Sequence, residues 1–176
     1  IELAHKLKPD VILMDVNMPG IGGVEVCRRI LERNSKQKII ALTIYTEKTF
    51  PKRMLEIGAK GYLTKECAVA EMIEAIKIVN DGGAYIAPTI AQQLALSLLP
   101  GNEENPIDKL SRREFQVMLM ISHGLSNLQM SEKLCLSPKT VSTYRLRLLE
   151  KLGAHNEVDL LKIAVEQGMV EFAGSE

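Results

Sequence analysis

The sequence predicts an α/β domain built on a parallel sheet, followed by a smaller all-α domain. In the first half of the chain, short apolar runs alternate with longer amphipathic segments, which is the pattern of parallel βαβ units with right-handed crossovers. In the second half, short helical segments follow one another, each with an explicit start signal. Between the halves, the polar stretch PGNEENP at 100–106 has a proline at each end and predicts an interdomain linker.

Three short apolar runs in the first half predict buried strands, because none of them reaches helical length. They are VILMDV at 11–16, KIIALT at 38–43 and GYLT at 61–64. The run at 11–16 is expected to be covered on both faces, as in a parallel sheet. The residues before it have the pattern of the last turns of a helix, so the chain is expected to be a piece of a longer protein.

Amphipathic helices are predicted between and after these strands. Three of them cover residues 24–33, 69–79 and 90–99. Another lies between the second and third strands and ends at Gly58, its cap. In the helix at 69–79, the apolar residues at helical spacing are expected to form a core-facing stripe. These residues are Val69, Met72, Ile73, Ile76 and Val79.

Four helices are predicted in the second half, each with its own N-terminal cap. The caps are Ser111, Ser126, Ser137 and Asn156. The first two are followed three residues later by Glu or Gln, as in a capping box, and the third is followed by a proline at the first helical position. The helices are expected to end near Gly124, Leu134, Gly153 and Gln167. Only residues 135–137 separate the second helix from the third, which is the signature of a helix-turn-helix.

Polar side chains stand where the three predicted strands end. Asp15 ends the first run, Thr43 the second, and Lys65 follows the third. Ligands of open parallel sheets bind beyond the carboxyl ends of the strands. A carboxylate, a hydroxyl and an ammonium in one crevice can form a phosphoryl site, with the carboxylate as nucleophile and Mg²⁺ offsetting the charge on the phosphoryl oxygens. The alternative is that Asp15 is an ordinary turn former or helix cap.

The predicted helix at 137–152 has an apolar face and a polar face. Val141, Leu148 and Leu152 lie on one side and are expected to pack inward, whereas most of the hydroxyl and basic side chains lie away from them. Residues 107–153 contain eight Lys and Arg against four Asp and Glu, and this local excess suits a polyanionic partner. Small hydroxyls can reach base edges, and Lys and Arg suit phosphates. The alternative is a solvated amphipathic helix.

Composition excludes several classes of protein. The chain is 46% hydrophobic and 25% charged, as in an ordinary globular protein. Cys27, Cys67 and Cys135 are widely spaced, which argues for reduced thiols in a cytosol and against a disulfide scaffold or a zinc site. No apolar run approaches the roughly 20 residues of a membrane span, and no signal peptide is visible. A cytoplasmic protein without a membrane partner is therefore expected. His123 and His155 are isolated and receive no ligand role.

The stretches DVILMDVNMPGIGG, IIALT and GAKGYLTK resemble the receiver domain of two-component response regulators, a flavodoxin-like fold. The resemblance covers residues 9–88 and implies that Asp15 accepts a phosphoryl group from a sensor histidine kinase. It implies that Thr43 and Lys65 bind the phosphoryl group and that Tyr62 changes rotamer with it. Tyr62 is equally consistent with an ordinary half-buried strand residue.

The same resemblance implies a Mg²⁺ site that this chain holds only in part. Asp15 and the backbone carbonyl of Asn17 would be ligands. In the family, a first strand ends in an acidic pair that completes the metal site, and a helix and a second strand follow it. None of that segment is expected in this chain, which starts at Ile1. The receiver is therefore expected to be incomplete and to be phosphorylated weakly or not at all in this form.

The stretch from LSRREF to AVEQG resembles the LuxR/NarL-type DNA-binding domain. The resemblance implies that the helix at 137–152 reads DNA and that the last helix, at about 157–167, supports dimerisation. The expected DNA contacts are Lys139, Thr140, Ser142, Thr143, Tyr144, Arg145, Arg147 and Lys151. The expected dimer stripe is Val158, Leu161 and Val165, part of which can equally be core.

Together these features predict a non-enzymatic, phosphorylation-controlled transcription regulator that binds promoter DNA and forms a homodimer. Its expected parts are a receiver domain at 1–88, a linker helix and linker at 89–106, and a DNA-binding domain at 107–172. The whole string resembles a subgroup of global regulators in this family, which implies control of small regulatory RNAs. One alternative is an aspartate-nucleophile phosphatase, but those enzymes use a second Asp as general acid at the position that Asn17 occupies here. The other is a protein-interaction module without DNA binding.

Overall fold

A computed structural model describes residues 1–18, 20–44, 49–99 and 105–170. The chain divides into two compact units, and the boundary before the helical unit falls between Asn102 and Glu103. That boundary lies in the stretch predicted as a linker, of which residues 100–104 are outside the described residues, as are residues 171–172 of the predicted DNA-binding domain. No helix in the described ranges has the length and apolar character needed to cross a membrane.

The N-terminal unit is built on a parallel sheet with strand order β1-β2-β3-β4. The strands are β1 (Val11–Asp15), β2 (Lys38–Thr43), β3 (Gly61–Thr64) and β4 (Tyr85–Ile86). The first three occupy the predicted runs. The fourth was not predicted, because two residues are too few to show a periodic pattern. In the register, Asp15 lies opposite Leu42 and Thr43 lies opposite Thr64, so the carboxyl ends of the strands reach the same edge.

The described residues of this unit form five helices. They are α1 (Glu2–Leu7), α2 (Gly23–Arg33), α3 (Thr49–Ile57), α4 (Val69–Asn80) and α5 (Pro88–Ser97). Gly58 ends α3 as predicted: its φ is +111°, and the next N–H, that of Ala59, donates to the carbonyl of Met54 at 3.0 Å. Strand residues and helix residues meet in a fully buried core that includes Cys27, Ile39, Ile40, Met54, Leu63, Ala75, Val79 and Ile90.

Two expectations about burial in this unit are wrong. The run at β1 was expected to be covered on both faces, but Leu13 is exposed, because β1 is an edge strand of the described sheet and pairs with β2 alone. On α4, Val69 and Ile73 are 72% and 47% exposed, whereas Ala75 and Val79 are buried. The buried line therefore runs through a small alanine, which lets the helix approach the sheet closely.

Over residues 105–170, the C-terminal unit consists of a 3₁₀ turn and four helices. They are the turn Pro106–Lys109, α6 (Arg112–Ser122), α7 (Asn127–Leu134), α8 (Pro138–Leu152) and α9 (Glu157–Glu166). All four predicted caps accept backbone N–H bonds, and both capping boxes are closed. Gly153, with φ +62°, ends α8 as expected. Cys135 adopts φ +53° between α7 and α8 and so makes the turn of the helix-turn-helix, with a backbone conformation that glycine would adopt more easily.

The turn from β1 to α2 depends on Gly23. Its N–H donates to the carbonyl of Val16 at 3.1 Å, and a Cβ at this position would lie 2.1 Å from the carbonyl oxygen of Asp15. No side chain fits in that space. Gly23 thereby allows α2 to start directly behind the end of β1.

We predict that Gly23→Ala destabilises the N-terminal unit by about 2–4 kcal/mol, because backbone must move to admit the methyl group. Intrinsic helix propensity alone would give the opposite sign, since alanine is favoured over glycine in a helix by about 1 kcal/mol. Urea unfolding followed by circular dichroism measures the change. The matched control is Gly82→Asn at an open position with φ +93°, where we expect little effect because asparagine tolerates that conformation. Equal or higher stability of Gly23→Ala would contradict the close approach.

Glu25 on α2 is 4% exposed and is paired with two arginines. The carboxylate lies 2.5 Å from Arg28 and 2.8 Å from Arg29. Burial by itself raises the pKa of Glu25, but the hydrogen bonds and charges of the two guanidinium groups outweigh it and lower the pKa to about 2. The folded protein therefore holds this carboxylate ionised at a pH where the unfolded chain protonates it.

We predict a pH dependence of stability that originates at Glu25. Because its folded pKa lies below the unfolded value of about 4.5, its contribution is complete above pH 5 and is lost as the pH falls toward 2, on the order of 3 kcal/mol in total. The free energy of unfolding of Glu25→Gln should fall less steeply over this range than that of the wild type. Glu32→Gln, at an exposed partner of Arg28, is the control and should keep the wild-type slope. Identical slopes for all three proteins would refute the assignment.

Candidate functional site

The carboxylate of Asp15 is held by two donors at the end of β1. The backbone N–H of Asn17 donates to Oδ1 at 2.8 Å, and the Lys65 ammonium donates to Oδ2 at 2.7 Å. The side chains of Asp15 and Lys65 are 33% and 37% exposed, so the pair lies at the rim of the sheet and a reactant can reach it from solvent. The structure thus joins the first and third of the predicted strand-end residues directly.

Thr43 lies at the end of β2, beneath this rim. Its residue is fully buried, and its carbonyl accepts the backbone N–H of Lys65 at 2.7 Å, which ties the ends of β2 and β3 together. Its hydroxyl lies beside the hydroxyl of Tyr62. Thr43 is therefore connected both to Lys65 and to the aromatic residue predicted to move with it.

Tyr62 is fully buried in β3, not half-buried. Burial raises the pKa of its phenol, and the neighbouring Thr43 hydroxyl offsets only part of that rise. Within the described residues, the Tyr62 hydroxyl makes no hydrogen bond of good geometry.

The residues around Asp15 do not by themselves make a Mg²⁺ site. Mg²⁺ requires near-ideal octahedral oxygen ligation and is usually held by one or two carboxylates together with phosphate and water. Both oxygens of Asp15 already accept hydrogen bonds. Across the ranges that the structure describes, no group of three or more His, Cys, Asp or Glu is placed to hold a metal ion. Asp15 and the Asn17 carbonyl are therefore at most a part of such a site.

Gly23 is a site residue that reasoning from the sequence missed. The close approach of its Cα to the Asp15 carbonyl sets where the chain turns after the carboxylate. The pair of glycines at 22 and 23, immediately before a predicted helix, was the available signal.

On α8, the eight predicted DNA contacts fall into two groups. Lys139, Thr143 and Arg147 are exposed, and Thr140, Ser142 and Tyr144 are partly exposed beside them. Arg147 lies 6.0 Å from the centroid of the Tyr144 ring, within cation–π range. These six residues form one surface of the helix, which we call the outer face of α8.

The remaining two basic residues are engaged within the unit. Lys151 pairs at 2.7 Å with Glu114, a buried carboxylate whose pKa burial raises but which Lys151 and the Ser111 donors lower overall. Arg145 is 17% exposed and contacts both Glu157 and Asn127. None of these three partners was predicted from the sequence. Leu146, also unassigned by sequence reasoning, is exposed on the same helix.

The predicted dimer stripe on α9 is accessible. Val158 and Val165 are exposed and Leu161 is partly exposed. With Lys162 and Glu166 they line a shallow apolar groove of about 300 Å³. The core-facing side of α9 is occupied instead by Leu160 and Ala164, so this stripe is left free of the core of its own unit.

Comparisons with known proteins match both halves of the chain. Residues 1–77 match the response regulator receiver domain, and residues 108–164 match the family described as bacterial regulatory proteins, luxR family. The response regulator GacA of Pseudomonas aeruginosa is 49% identical over 174 residues, covering 98% of this chain and 81% of that protein. The response regulator UvrY of Escherichia coli is 47% identical over 161 residues, covering 91% and 74% of the two chains.

Among solved structures, RcsB of Salmonella typhimurium superposes with a TM-score of 0.72 at 22% identity, over 94% of this chain and 78% of that one. At this identity the likeness shows the fold alone. A LuxR-family two-component response regulator from an Aurantimonas species is 33% identical, with a TM-score of 0.53, over 55% of this chain and 69% of that one. The chain therefore belongs to the response regulators that join a receiver domain to a LuxR-type helix-turn-helix domain, with GacA and UvrY among its relatives.

Proposed function

We propose that this protein is a cytoplasmic transcription regulator whose binding to promoter DNA is controlled by phosphorylation of Asp15. The observation that carries the proposal is the Asp15–Lys65 pair at the rim of the parallel sheet, in a chain that also has a capped helix-turn-helix. We assign the receiver domain to 1–88, the linker helix and linker to 89–106 and the DNA-binding domain to 107–172.

The proposed phosphodonor is the phosphohistidine of a sensor kinase. A carboxylate oxygen of Asp15 attacks its phosphorus, the P–N bond breaks, and an acyl phosphate forms on Asp15. Lys65, already 2.7 Å from the carboxylate, then pairs with the phosphoryl oxygens. The N–H of Asn17 orients the carboxylate by holding its other oxygen. Mg²⁺ would offset the phosphoryl charge in the family, but we assign no step to it because no group of three or more His, Cys, Asp or Glu in the described residues is placed to hold a metal ion.

We propose that Thr43 and Tyr62 change position when Asp15 is phosphorylated. The added negative charge attracts the Thr43 hydroxyl, whose movement opens space for the phenol of Tyr62 beside it. The Tyr62 hydroxyl is buried beside Thr43, so the proposed second arrangement is a rotamer in which the phenol moves into that space. A modest charge change at Asp15 then suffices to shift the balance between the two arrangements.

The proposed output is DNA binding by the outer face of α8. Lys139 and Arg147 would contact phosphates, and Thr140, Ser142, Thr143 and Tyr144 would face the base edges. A second copy of the chain would bind through the α9 stripe, so that two recognition helices read two half-sites. By relation to GacA and UvrY, we propose genes for small regulatory RNAs as targets.

We predict that Asp15→Asn abolishes phosphorylation. In a protein extended at its N-terminus by the segment that carries the family's acidic pair, incubation with acetyl phosphate and Mg²⁺, or with a phosphorylated sensor kinase, should give a hydroxylamine-labile phosphoryl group, detected as a shift in a phosphate-affinity gel. Asp10→Asn, which removes the same charge from an exposed residue just before β1, is the control and should label like the wild type. Labelling that persists in Asp15→Asn would refute Asp15 as the acceptor.

We predict that Lys139→Ala and Arg147→Ala each weaken DNA binding and reduce its dependence on salt. Each lost phosphate contact should lower the slope of log K against log salt by roughly 0.9. Fluorescence anisotropy with a duplex that the wild type selects from random sequences measures both quantities. Lys36→Ala, at an exposed residue of the N-terminal unit, should change neither. Unchanged affinity and slope in both α8 variants would favour a protein-interaction role for this helix.

A further inference from the structure

We propose that Arg145 is a positioning residue that ties the recognition helix α8 to α7 and α9, with Glu157 as its essential partner, and that it makes no contact with DNA phosphate. This inference rests on the proposed DNA binding of α8. It reassigns one of the residues that the sequence places among the phosphate contacts. It also gives a function to Glu157, to which the sequence assigned none.

The contacts of Arg145 span three helices. From the middle of α8, its guanidinium donates to the side-chain carbonyl of Asn127 at the start of α7 and pairs with the carboxylate of Glu157 at the start of α9. The Asn127 amide then donates to the hydroxyl of Ser142, one turn back on α8, at 3.2 Å. The result is a continuous chain of polar contacts from Glu157 through Arg145 and Asn127 to Ser142.

Burial makes these contacts difficult to exchange for DNA. Arg145 is 17% exposed, in contrast to the exposed Arg147 two residues further along the helix. Desolvation lowers the pKa of Arg145, and a cation so largely withdrawn from water is stabilised by partners such as the Asn127 carbonyl and the Glu157 carboxylate, which is itself 57% exposed. To reach a phosphate, the guanidinium would have to leave Asn127 and Glu157 unpaired. Arg147 incurs no comparable loss and is the better phosphate contact.

The same chain of contacts orients a candidate base-reading group. Ser142 accepts from Asn127 at 3.2 Å and donates to the carbonyl of Pro138 at 3.1 Å, so its hydroxyl is fixed in direction before DNA arrives. Pre-orientation lowers the entropy lost on binding. If the chain is broken at Glu157, we expect the sequence preference to suffer more than the sequence-independent attraction to phosphates.

Glu157 offers a test in which electrostatics and positioning predict opposite signs. Removing a carboxylate from a DNA-binding unit reduces repulsion of the polyanion, so simple electrostatics predicts tighter binding by Glu157→Gln. The positioning role predicts weaker binding, because Arg145 loses its ionic partner. Glu150→Gln on α8 is the matched control: it removes the same charge from an exposed side chain that has no side-chain partner among the described residues.

The experiment compares full-length variants by fluorescence anisotropy on two probes. One probe is a duplex that the wild type selects from a random library, and the other is a scrambled duplex of equal length and composition. We expect Glu157→Gln to lose about tenfold in affinity for the selected duplex, with little change on the scrambled one, as for the loss of a well-oriented polar contact. Glu150→Gln should bind both probes as tightly as the wild type or more tightly.

Salt dependence separates positioning from phosphate contact. Arg145→Ala should keep the wild-type salt slope, whereas Arg147→Ala should reduce it by roughly 0.9. Thermal unfolding of each variant corrects for any unfolded fraction, and Glu157→Gln, which keeps the guanidinium, provides the result if Arg145→Ala does not fold. Tighter binding by Glu157→Gln, or a reduced slope in Arg145→Ala, would overturn the inference while leaving DNA binding intact. A wild type that selects no duplex would overturn the proposed DNA binding itself.

Discussion

Parallel strand pairing is the constraint on which the N-terminal unit depends. Parallel strands point the same way, so whatever residue ends each run is delivered to one edge of the sheet. Here that edge receives Asp15 and Lys65, and the hydrogen bond from Lys65 N–H to the Thr43 carbonyl fixes the second strand end against the third. The 2.7 Å ion pair between Asp15 and Lys65 is a consequence of this strand pairing, which brings the ends of β1 and β3 to the same edge. Gly23 completes the arrangement by letting α2 begin where any larger residue would push the chain away from Asp15.

Much of this could be read from the sequence, because the informative signals are local. Three strands and all four caps of the helical unit were predicted, since short apolar runs, capping boxes and terminal glycines act within a few residues. The buried face of α4 was not predicted, because its apolar residues allow two overlapping stripes. Packing on the sheet selects the stripe through Ala75 and Val79. The strand-end residues could be grouped from the sequence because parallel strands end at the same edge of a sheet. The ion pairs of Lys151 and Arg145 were not, because their acidic partners lie on other helices and residue type alone does not distinguish a paired cation from an exposed one.

The helical unit uses its cations in two physically different ways. Exposed Lys139 and Arg147 lose little on binding a phosphate, because they give up only water and counterions. Lys151 is committed to the buried carboxylate of Glu114, and removing it would leave that charge without compensation inside the unit. Net charge along the helix therefore overstates the number of groups available to a polyanion. Arg147 and Lys151 are four residues apart and lie on the same side of α8, so the difference between them is the Glu114 carboxylate that pairs with Lys151.

These polar contacts are especially important in α8, because few of its residues are buried in the apolar core. Of its fifteen residues, only Val141 and Leu148 are buried. Two apolar contacts on the same face, two turns apart, resist translation better than rotation about the helix axis, and rotation would move every side chain of the outer face. Polar contacts with defined geometry supply the missing restraint: the Ser137 cap at the start, Arg145 in the middle, and Lys151 with Glu114 at the end. Because hydrogen bonds and ion pairs are directional where hydrophobic contact is not, these polar residues add a restraint on the orientation of α8. The apolar contacts thus hold α8 in the unit, and the polar contacts limit its rotation.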